Sequence, residues 1–119
     1  MAAARALLVD DNSVMLDVLS RILTHKGYEV LSAAGARQAL ETVRESPSIH
    51  LVLADLLLPE MKGTRLIREV LRLSPQTACL LMTYGIDAPD VPDGIALLRK
   101  PFSSQELFRV IQAALATEE

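Results

Sequence analysis

The stretch LVLAD at Leu51–Asp55 shapes the interpretation of the whole chain. Four apolar residues in succession, with no polar alternation, are typical of a strand buried on both faces of a parallel sheet. Asp55 stands at the carboxyl end of this predicted strand, and a loop through Pro59 follows it. Open α/β sheets place their ligands and reacting groups at that edge. The stretch therefore predicts an α/β fold with its chemistry at Asp55.

Polar or charged side chains follow three other apolar runs in the same way. They are Asp10 and Asp11 after residues 6–9, Thr83 after residues 80–82, and Lys100 after residues 95–99. Because the carboxyl ends of parallel strands meet at one edge of a sheet, we expect all these side chains to lie near Asp55. Three carboxylates, a hydroxyl and an ammonium would then share one site.

Length and composition restrict the class of protein. The chain has 119 residues, the size of one domain with a single good core, so we expect one domain over residues 1–119. The net charge of -3 gives no electrostatic reason to expect nucleic acid or an anionic membrane as a partner. No apolar stretch approaches the roughly 18 residues of a membrane span. With one cysteine, Cys79, and no signal-peptide pattern, we expect a cytoplasmic protein.

Strand and helix patterns alternate along the chain. Strands are predicted at residues 6–9, 28–33, 49–54, 78–82 and 95–98. Helices are predicted from Asn12 or Ser13 to before Gly27, over residues 36–45, from Gly63 or Thr64 to before Pro75, and after the Ser103–Glu106 capping box. The first helix should bury the stripe Met15, Val18, Leu19, Ile22 and Leu23.

The segment between the last two strands is the weakest part of the pattern. Residues 84–94 include Pro89 and Pro92, so at most a short, poor helix fits, and we expect few buried contacts here. The order of elements predicts a (βα)5 doubly wound parallel sheet with strand order 2-1-3-4-5 and right-handed crossovers. Its fourth helix should be short or irregular.

The acidic residues predict a cation site. Crowded carboxylates at Asp10, Asp11 and Asp55 repel one another, and a bound cation relieves that repulsion. Oxygen ligands suit a hard cation, and we expect Mg²⁺. With the charge neutralised, one carboxylate can attack phosphorus and form an aspartyl phosphate. Lys100 would supply positive charge to the phosphoryl oxygens, and Thr83 a hydroxyl donor.

Over essentially its whole length, the chain resembles a response-regulator receiver domain of two-component signalling. The residues that carry the resemblance are Asp10-Asp11-Asn12, Asp55 with Pro59, Met61 and Gly63 downstream, Thr83, and Lys100-Pro101-Phe102. The ending at residues 97–102 is also similar to receivers fused to hybrid histidine kinases.

The resemblance implies a flavodoxin-like fold and a function. It implies that Asp55 accepts a phosphoryl group from the phosphohistidine of a histidine kinase, as in a phosphorelay. It implies that Asp11, Asp55 and the backbone carbonyl of Leu57 bind Mg²⁺, with Asp10 helping through water. No separate enzymatic activity is then expected beyond Mg²⁺-dependent self-phosphorylation and self-dephosphorylation.

Three features depart from the family pattern. Leu97 stands where an aromatic switch residue is usual, and Tyr84 stands where Ala or Gly is usual. The segment between Thr83 and Lys100 is also several residues shorter than usual. The phosphorylation site thus resembles the family, whereas the usual readout surface does not.

Two other functions fit part of the pattern. A phosphatase of the haloacid-dehalogenase type also uses an aspartate nucleophile, Mg²⁺, Thr and Lys. Its chemistry needs a second carboxylate two residues after the nucleophile, and Leu57 occupies that position. The other alternative is a receiver-like interaction module whose output does not depend on phosphorylation. The departures at residues 84–94 favour it, and the complete set of polar strand ends argues against it.

Overall fold

The computed structural model describes residues 4–46, 48–85 and 91–116. Five parallel strands form one sheet in the order β2-β1-β3-β4-β5, which confirms the predicted order. The strands are β1 (Arg5–Val9), β2 (Glu29–Ala33), β3 (Leu51–Asp55), β4 (Ala78–Thr83) and β5 (Ala96–Arg99). The described helices are α1 (Ser13–His25), α2 (Ala36–Glu45), α3 (Gly63–Leu73) and α4 (Ser104–Ala116).

Helices cover both faces of the sheet, and this explains why its strands are apolar throughout. Successive residues of a strand point to opposite faces. In β1, Leu7 and Val9 pack into the core under α2 and α3, while Ala6 and Leu8 pack into the core under α1 and α4. A central strand with no polar face is therefore the expected result of burial on two sides.

The helix ends follow the signals in the sequence. The Asn12 side chain caps α1 by accepting hydrogen bonds from the backbone N–H groups of Val14 and Met15, at 3.0 and 3.2 Å. Before α4, the backbone N–H of Glu106 donates to Ser103 Oγ at 3.0 Å, and the backbone N–H of Ser103 donates to Glu106 Oε1 at 3.2 Å. This reciprocal pair confirms the predicted capping box.

One predicted core position is wrong. Val18 is 46% exposed, whereas Leu19 and Leu23 are buried. Consecutive helical residues are rotated by about 100°, so a face centred between Leu19 and Leu23 turns Val18 away from the sheet. Half-buried Leu16 lies on that face instead.

Strand boundaries differ by one or two residues from the predicted ones. Tyr28 and Ile49 precede their strands, and Asp55 is the last residue of β3, one residue beyond the predicted limit at residue 54. Such shifts are usual at element ends, where hydrogen bonding and not side-chain pattern sets the limit. They leave Asp55 at the carboxyl edge of the sheet.

The connection from β4 to β5 is only partly described. Residues 84–85 and 91–95 are not helical. The short fourth helix predicted for residues 84–94 falls largely on residues 86–90, which lie outside the described residues. Within the described parts of the chain, we find no helix long and apolar enough to cross a membrane.

Candidate functional site

The register of the sheet brings the polar strand ends together. Val9 pairs with Ala54 in the β1–β3 register. Asp10 comes directly after Val9 and Asp55 directly after Ala54, so both aspartates lie at the carboxyl ends of these neighbouring strands. Thr83 pairs with Arg99 at the ends of β4 and β5, and Lys100 comes next. All the polar residues predicted at the strand ends therefore lie along the carboxyl edge of the sheet.

Three carboxylates form the acidic centre, which we define as Asp10, Asp11 and Asp55. One carboxylate oxygen of each residue lies within 4.8 Å of the others. Asp10 is buried, Asp55 is partly buried and Asp11 is exposed, so the centre opens to solvent on one side. Asp10 is oriented by the backbone N–H of Asn12, which donates to its Oδ1 at 2.9 Å.

Lys100 bridges the two less exposed carboxylates. Its Nζ donates to Asp55 Oδ2 at 3.0 Å and to Asp10 Oδ2 at 3.2 Å. Burial alone would lower the pKa of Lys100, but the hydrogen bond to Asp55 and the charges of Asp10 and Asp55 outweigh it, so this pKa is raised above its usual value. The ammonium therefore stays charged at neutral pH and offsets the repulsion between the carboxylates.

The loop after β3 is closed tightly around Asp55. The backbone N–H of Leu57 donates to Asp55 Oδ1 at 3.1 Å, and the N–H of Gly63 donates to the carbonyl of Leu56 at 2.7 Å. A Cβ at Gly63 would overlap the Asp55 carbonyl oxygen and approach Leu56 and the Leu81 side chain. Only glycine allows α3 to begin so close to the end of β3.

Thr83 joins the strand end to the loop that follows it. Its Oγ1 accepts a hydrogen bond from the N–H of Gly85 at 2.9 Å, and its carbonyl accepts one from the N–H of Lys100 at 2.8 Å. The hydroxyl can still donate its own proton, because accepting uses only a lone pair. Thr83 is buried beside the site, at the end of the strand predicted to deliver it.

The residues of the acidic centre fit a magnesium ion. Carboxylate oxygens are hard ligands, and Mg²⁺ is usually held by one or two carboxylates while keeping several waters. The exposed side at Asp11 leaves room for such waters. The carbonyl of Leu57 stays a predicted ligand: its residue adjoins Asp55 through the Leu57 N–H, and its side chain points outward, 69% exposed.

Two features of the site were missed by sequence reasoning. The ring of Tyr84 lies over Lys100, with 5.2 Å between Nζ and the ring centroid. The carboxylate of Glu60 accepts a hydrogen bond from the backbone N–H of Arg37 at 3.0 Å, in the first turn of α2. No local pattern reveals a contact across 23 residues. The adjacency of the β4 and β5 ends could have revealed the contact between Tyr84 and Lys100.

The structure also shows the surroundings of Leu97, which stands where an aromatic switch residue is usual. Leu97 lies in β5, is partly buried and packs against the core under α2 and α3. Leu97 is therefore part of the core, at the position where the family usually has an aromatic switch residue.

Comparison with protein families and curated proteins gives one consistent result. The family model for the response regulator receiver domain matches residues 6–112. The chain is 32% identical over 117 residues to the transcriptional regulatory protein CpxR homolog of Haemophilus influenzae, covering 94% of this chain and 50% of that protein. It is 31% identical over 126 residues to the transcriptional regulatory protein GlrR of Escherichia coli, covering 98% of this chain and 28% of that protein. The chain thus spans half or less of these relatives.

Solved structures agree with this result over the whole fold. A crystal structure of a CheY-like response regulator receiver domain protein from Methanospirillum hungatei matches with a TM-score of 0.88 and 29% identity. The match covers 98% of this chain and 96% of that chain. The architecture is therefore shared from the first strand to the last helix.

Proposed function

The chain belongs to the family of response regulator receiver domains, and from this premise we propose that Asp55 is its phosphoacceptor. One observation carries the proposal: the Lys100 ammonium is hydrogen-bonded to both Asp55 and Asp10 inside a cluster of three carboxylates. A nucleophile, a fixed positive charge and a set of metal ligands then share one edge of the sheet. Structural ion pairs alone do not require a third, exposed carboxylate beside them.

In the proposed reaction, an oxygen of the Asp55 carboxylate attacks phosphorus. The new oxygen–phosphorus bond forms as the phosphorus–nitrogen bond of a phosphohistidine breaks, and the ring, already protonated at its other nitrogen, leaves with the electron pair as neutral imidazole. Lys100 offsets negative charge on the phosphoryl oxygens, and the Thr83 hydroxyl donates a hydrogen bond to one of them. The Leu57 N–H, already on Asp55 Oδ1, keeps the carboxylate oriented.

We propose that Asp11, Asp55 and the Leu57 carbonyl hold Mg²⁺ directly and that Asp10 assists through water. When bound, the ion supplies the positive charge that lets a carboxylate meet a phosphoryl group of the same sign. The acidic centre supports this assignment because its oxygens lie within 4.8 Å of one another.

The phosphodonor we propose is a histidine kinase, either separate or fused to this chain as in hybrid kinases. We also propose that residues 1–119 form a single receiver domain of the cytoplasm, with no enzymatic activity beyond its own Mg²⁺-dependent phosphorylation and dephosphorylation. Family membership supports these assignments. The curated relatives are longer than this chain, and we do not extend their regulatory output to it.

An intact-protein mass measurement tests the phosphoacceptor. With Mg²⁺ and acetyl phosphate, the wild type should gain one phosphoryl group, and Asp55→Asn should gain none. Asp17→Asn makes the same chemical change at an exposed residue of α1 and should phosphorylate like the wild type. Chelation of Mg²⁺ should abolish the gain in the wild type and in Asp17→Asn.

The same experiment decides between a phosphoacceptor and an interaction module whose output does not depend on phosphorylation. A wild type of unchanged mass would contradict phosphorylation and favour an interaction module that works without phosphate. A gain that persists in Asp55→Asn would move the phosphoacceptor to another residue.

A further inference from the structure

Tyr84 places an aromatic ring over the Lys100 ammonium. The 5.2 Å between Nζ and the ring centroid is within the range of a cation–π contact. Tyr84 is 73% exposed, whereas the Lys100 side chain is 3% exposed. The ring therefore lies on the solvent side of the ammonium.

The ammonium is thus held between carboxylates and a ring. Asp10, which is almost fully buried, accepts from Nζ on the inner side, and Asp55 accepts beside it. A lysine side chain is a flexible four-carbon stem with a strongly hydrated head, so its head turns toward water unless contacts hold it. Tyr84 covers the direction in which it would turn.

The backbone fixes the position of this ring relative to Lys100. Thr83 Oγ1 accepts from the N–H of Gly85, which ties the residues on both sides of Tyr84 together. The Thr83 carbonyl accepts from the N–H of Lys100, which ties the end of β4 to the start of the Lys100 segment. Tyr84 and Lys100 therefore extend from two backbone segments that are hydrogen-bonded to each other.

We propose that Tyr84 is a positioning residue for Lys100: its ring holds the ammonium against Asp10 and Asp55, where the ammonium serves phosphoryl transfer to Asp55. The kinetic consequence rests on the proposed function, whereas the ring contact does not. Without the ring, the equilibrium between the inward and solvent-facing ammonium shifts by roughly two- to fivefold, the strength of an exposed cation–π contact. Because the rate follows the fraction of protein with the ammonium facing inward, the rate constant of phosphorylation should fall by no more than this factor.

Three variants of Tyr84 separate the ring from its bulk. In the test reaction, the Asp55 carboxylate attacks acetyl phosphate, the phosphorus–oxygen bond to acetate breaks, and acetate leaves with the electron pair. Tyr84→Phe keeps the ring and should react like the wild type. Tyr84→Leu keeps bulk without a ring, and Tyr84→Ala keeps neither; both should react more slowly than Tyr84→Phe, by at most about fivefold.

The alternative outcomes overturn the proposal. A Tyr84→Leu variant as fast as Tyr84→Phe would show that bulk alone suffices. A Tyr84→Phe variant as slow as Tyr84→Leu would assign the effect to the hydroxyl. Tyr84 is largely exposed, so none of these substitutions should prevent folding.

A double-mutant cycle tests the ring contact without phosphate. Urea unfolding is compared for the wild type, Tyr84→Leu, Lys100→Met and the double variant. Tyr84→Leu should destabilise the folded state more when Lys100 is present than in the Lys100→Met background. The two effects on the equilibrium constant of unfolding should differ by roughly two- to fivefold. Equal effects in both backgrounds would overturn the proposal. A wild type that acetyl phosphate cannot phosphorylate would overturn the function proposed for Asp55, and this cycle would still decide the ring contact.

Discussion

The carboxyl edge of the sheet has two parts that are built differently. The acidic centre stands on β1 and β3, whose residues Ala6–Val9 and Leu51–Ala54 are fully buried. We define the outer edge as Thr83–Gly85 together with β5. Its strand β5 has four residues, lies at the edge of the sheet and pairs with β4 alone. Tyr84 in this edge is mostly exposed. The centre therefore lies on strands that are paired on both sides, whereas the edge ends the sheet and opens to solvent at Tyr84.

The two glycines beside these parts show the same contrast. A Cβ at Gly63 would overlap backbone atoms of the loop after β3. A Cβ at Gly85 would meet Thr83 Oγ1 at 3.4 Å, an ordinary contact. The loop after β3 has no space for an added methyl group at Gly63, whereas the outer edge has that space at Gly85. Residues at the edge can therefore differ from the family pattern without disturbing the fold.

The largest expected effect compares alanine at these two glycines. Gly63→Ala should lower the free energy of unfolding by about 1–3 kcal/mol, because the methyl group must displace backbone atoms in a packed site. Gly85→Ala should change it by less than about 0.5 kcal/mol. Urea unfolding of both variants measures the difference. Equal losses would show that the outer edge is packed as tightly as the centre.

The second prediction concerns the charge of Lys100 at the acidic centre. The Lys100 ammonium is hydrogen-bonded to two carboxylates of the centre, so its removal should strengthen Mg²⁺ binding. Even a modest Coulomb energy predicts an increase of about tenfold in the Mg²⁺ affinity of Lys100→Met. Arg99→Met removes the same charge from the exposed neighbouring position and should stay within about twofold. Titration calorimetry with MgCl₂ measures both. Similar strengthening in the two variants would make it an effect of net charge only.

The third prediction concerns the lifetime of the aspartyl phosphate. Leu57 and Gly85 offer no polar side chain to orient a water, and Tyr84 covers part of the site, so we expect slow self-dephosphorylation. Leu57→Asn combined with Tyr84→Ala should accelerate decay by up to about tenfold, below the range of a general base because Asn cannot take a proton.

Loss of the phosphoryl mass with time, after removal of the phosphodonor, measures this decay. Leu73→Asn makes the same change as Leu57→Asn at an exposed leucine at the end of α3 and should leave the decay unchanged. Unchanged or slower decay in the double variant would contradict the interpretation of this part of the edge.

The smallest effect is expected at alkaline pH. The pKa of Lys100 is raised in the folded protein, so its stabilising contribution is fully present below the unfolded value of about 10.4 and is lost as pH rises through the folded value. The stability difference between wild type and Lys100→Met should therefore be constant from neutral pH to about pH 10 and shrink above it. Urea unfolding across this range measures it. A difference that grows with pH would contradict the ion pair.

The sequence predicted the fold and the place at which the candidate site residues come together, because both depend on local patterns. Apolar runs without alternation indicate buried parallel strands, and the strand ends of such a sheet necessarily share an edge. Those two rules bring Asp10, Asp55 and Lys100 together, as the hydrogen bonds of Lys100 confirm.

Features that depend on neighbouring elements could not be predicted in this way. Val18 fits the apolar spacing of α1, but the orientation of the whole helix against the sheet decides which edge of the stripe is covered. The ring of Tyr84 over Lys100 depends on the course of the chain after β4. The contact of Glu60 with the first turn of α2 depends on the shape of a loop.

That contact of Glu60 has a practical consequence for engineering. The loop after β3 is anchored at Leu57 to Asp55, at Gly63 to Leu56, and at Glu60 to the N–H of Arg37. A reporter peptide inserted there would break at least one anchor and change the geometry of the acidic centre. The turn at Gly27 is exposed and open, although Gly27 itself, at φ +107°, has to remain glycine. A fluorescent tag or an insertion belongs at that turn, at the end of the sheet opposite the acidic centre.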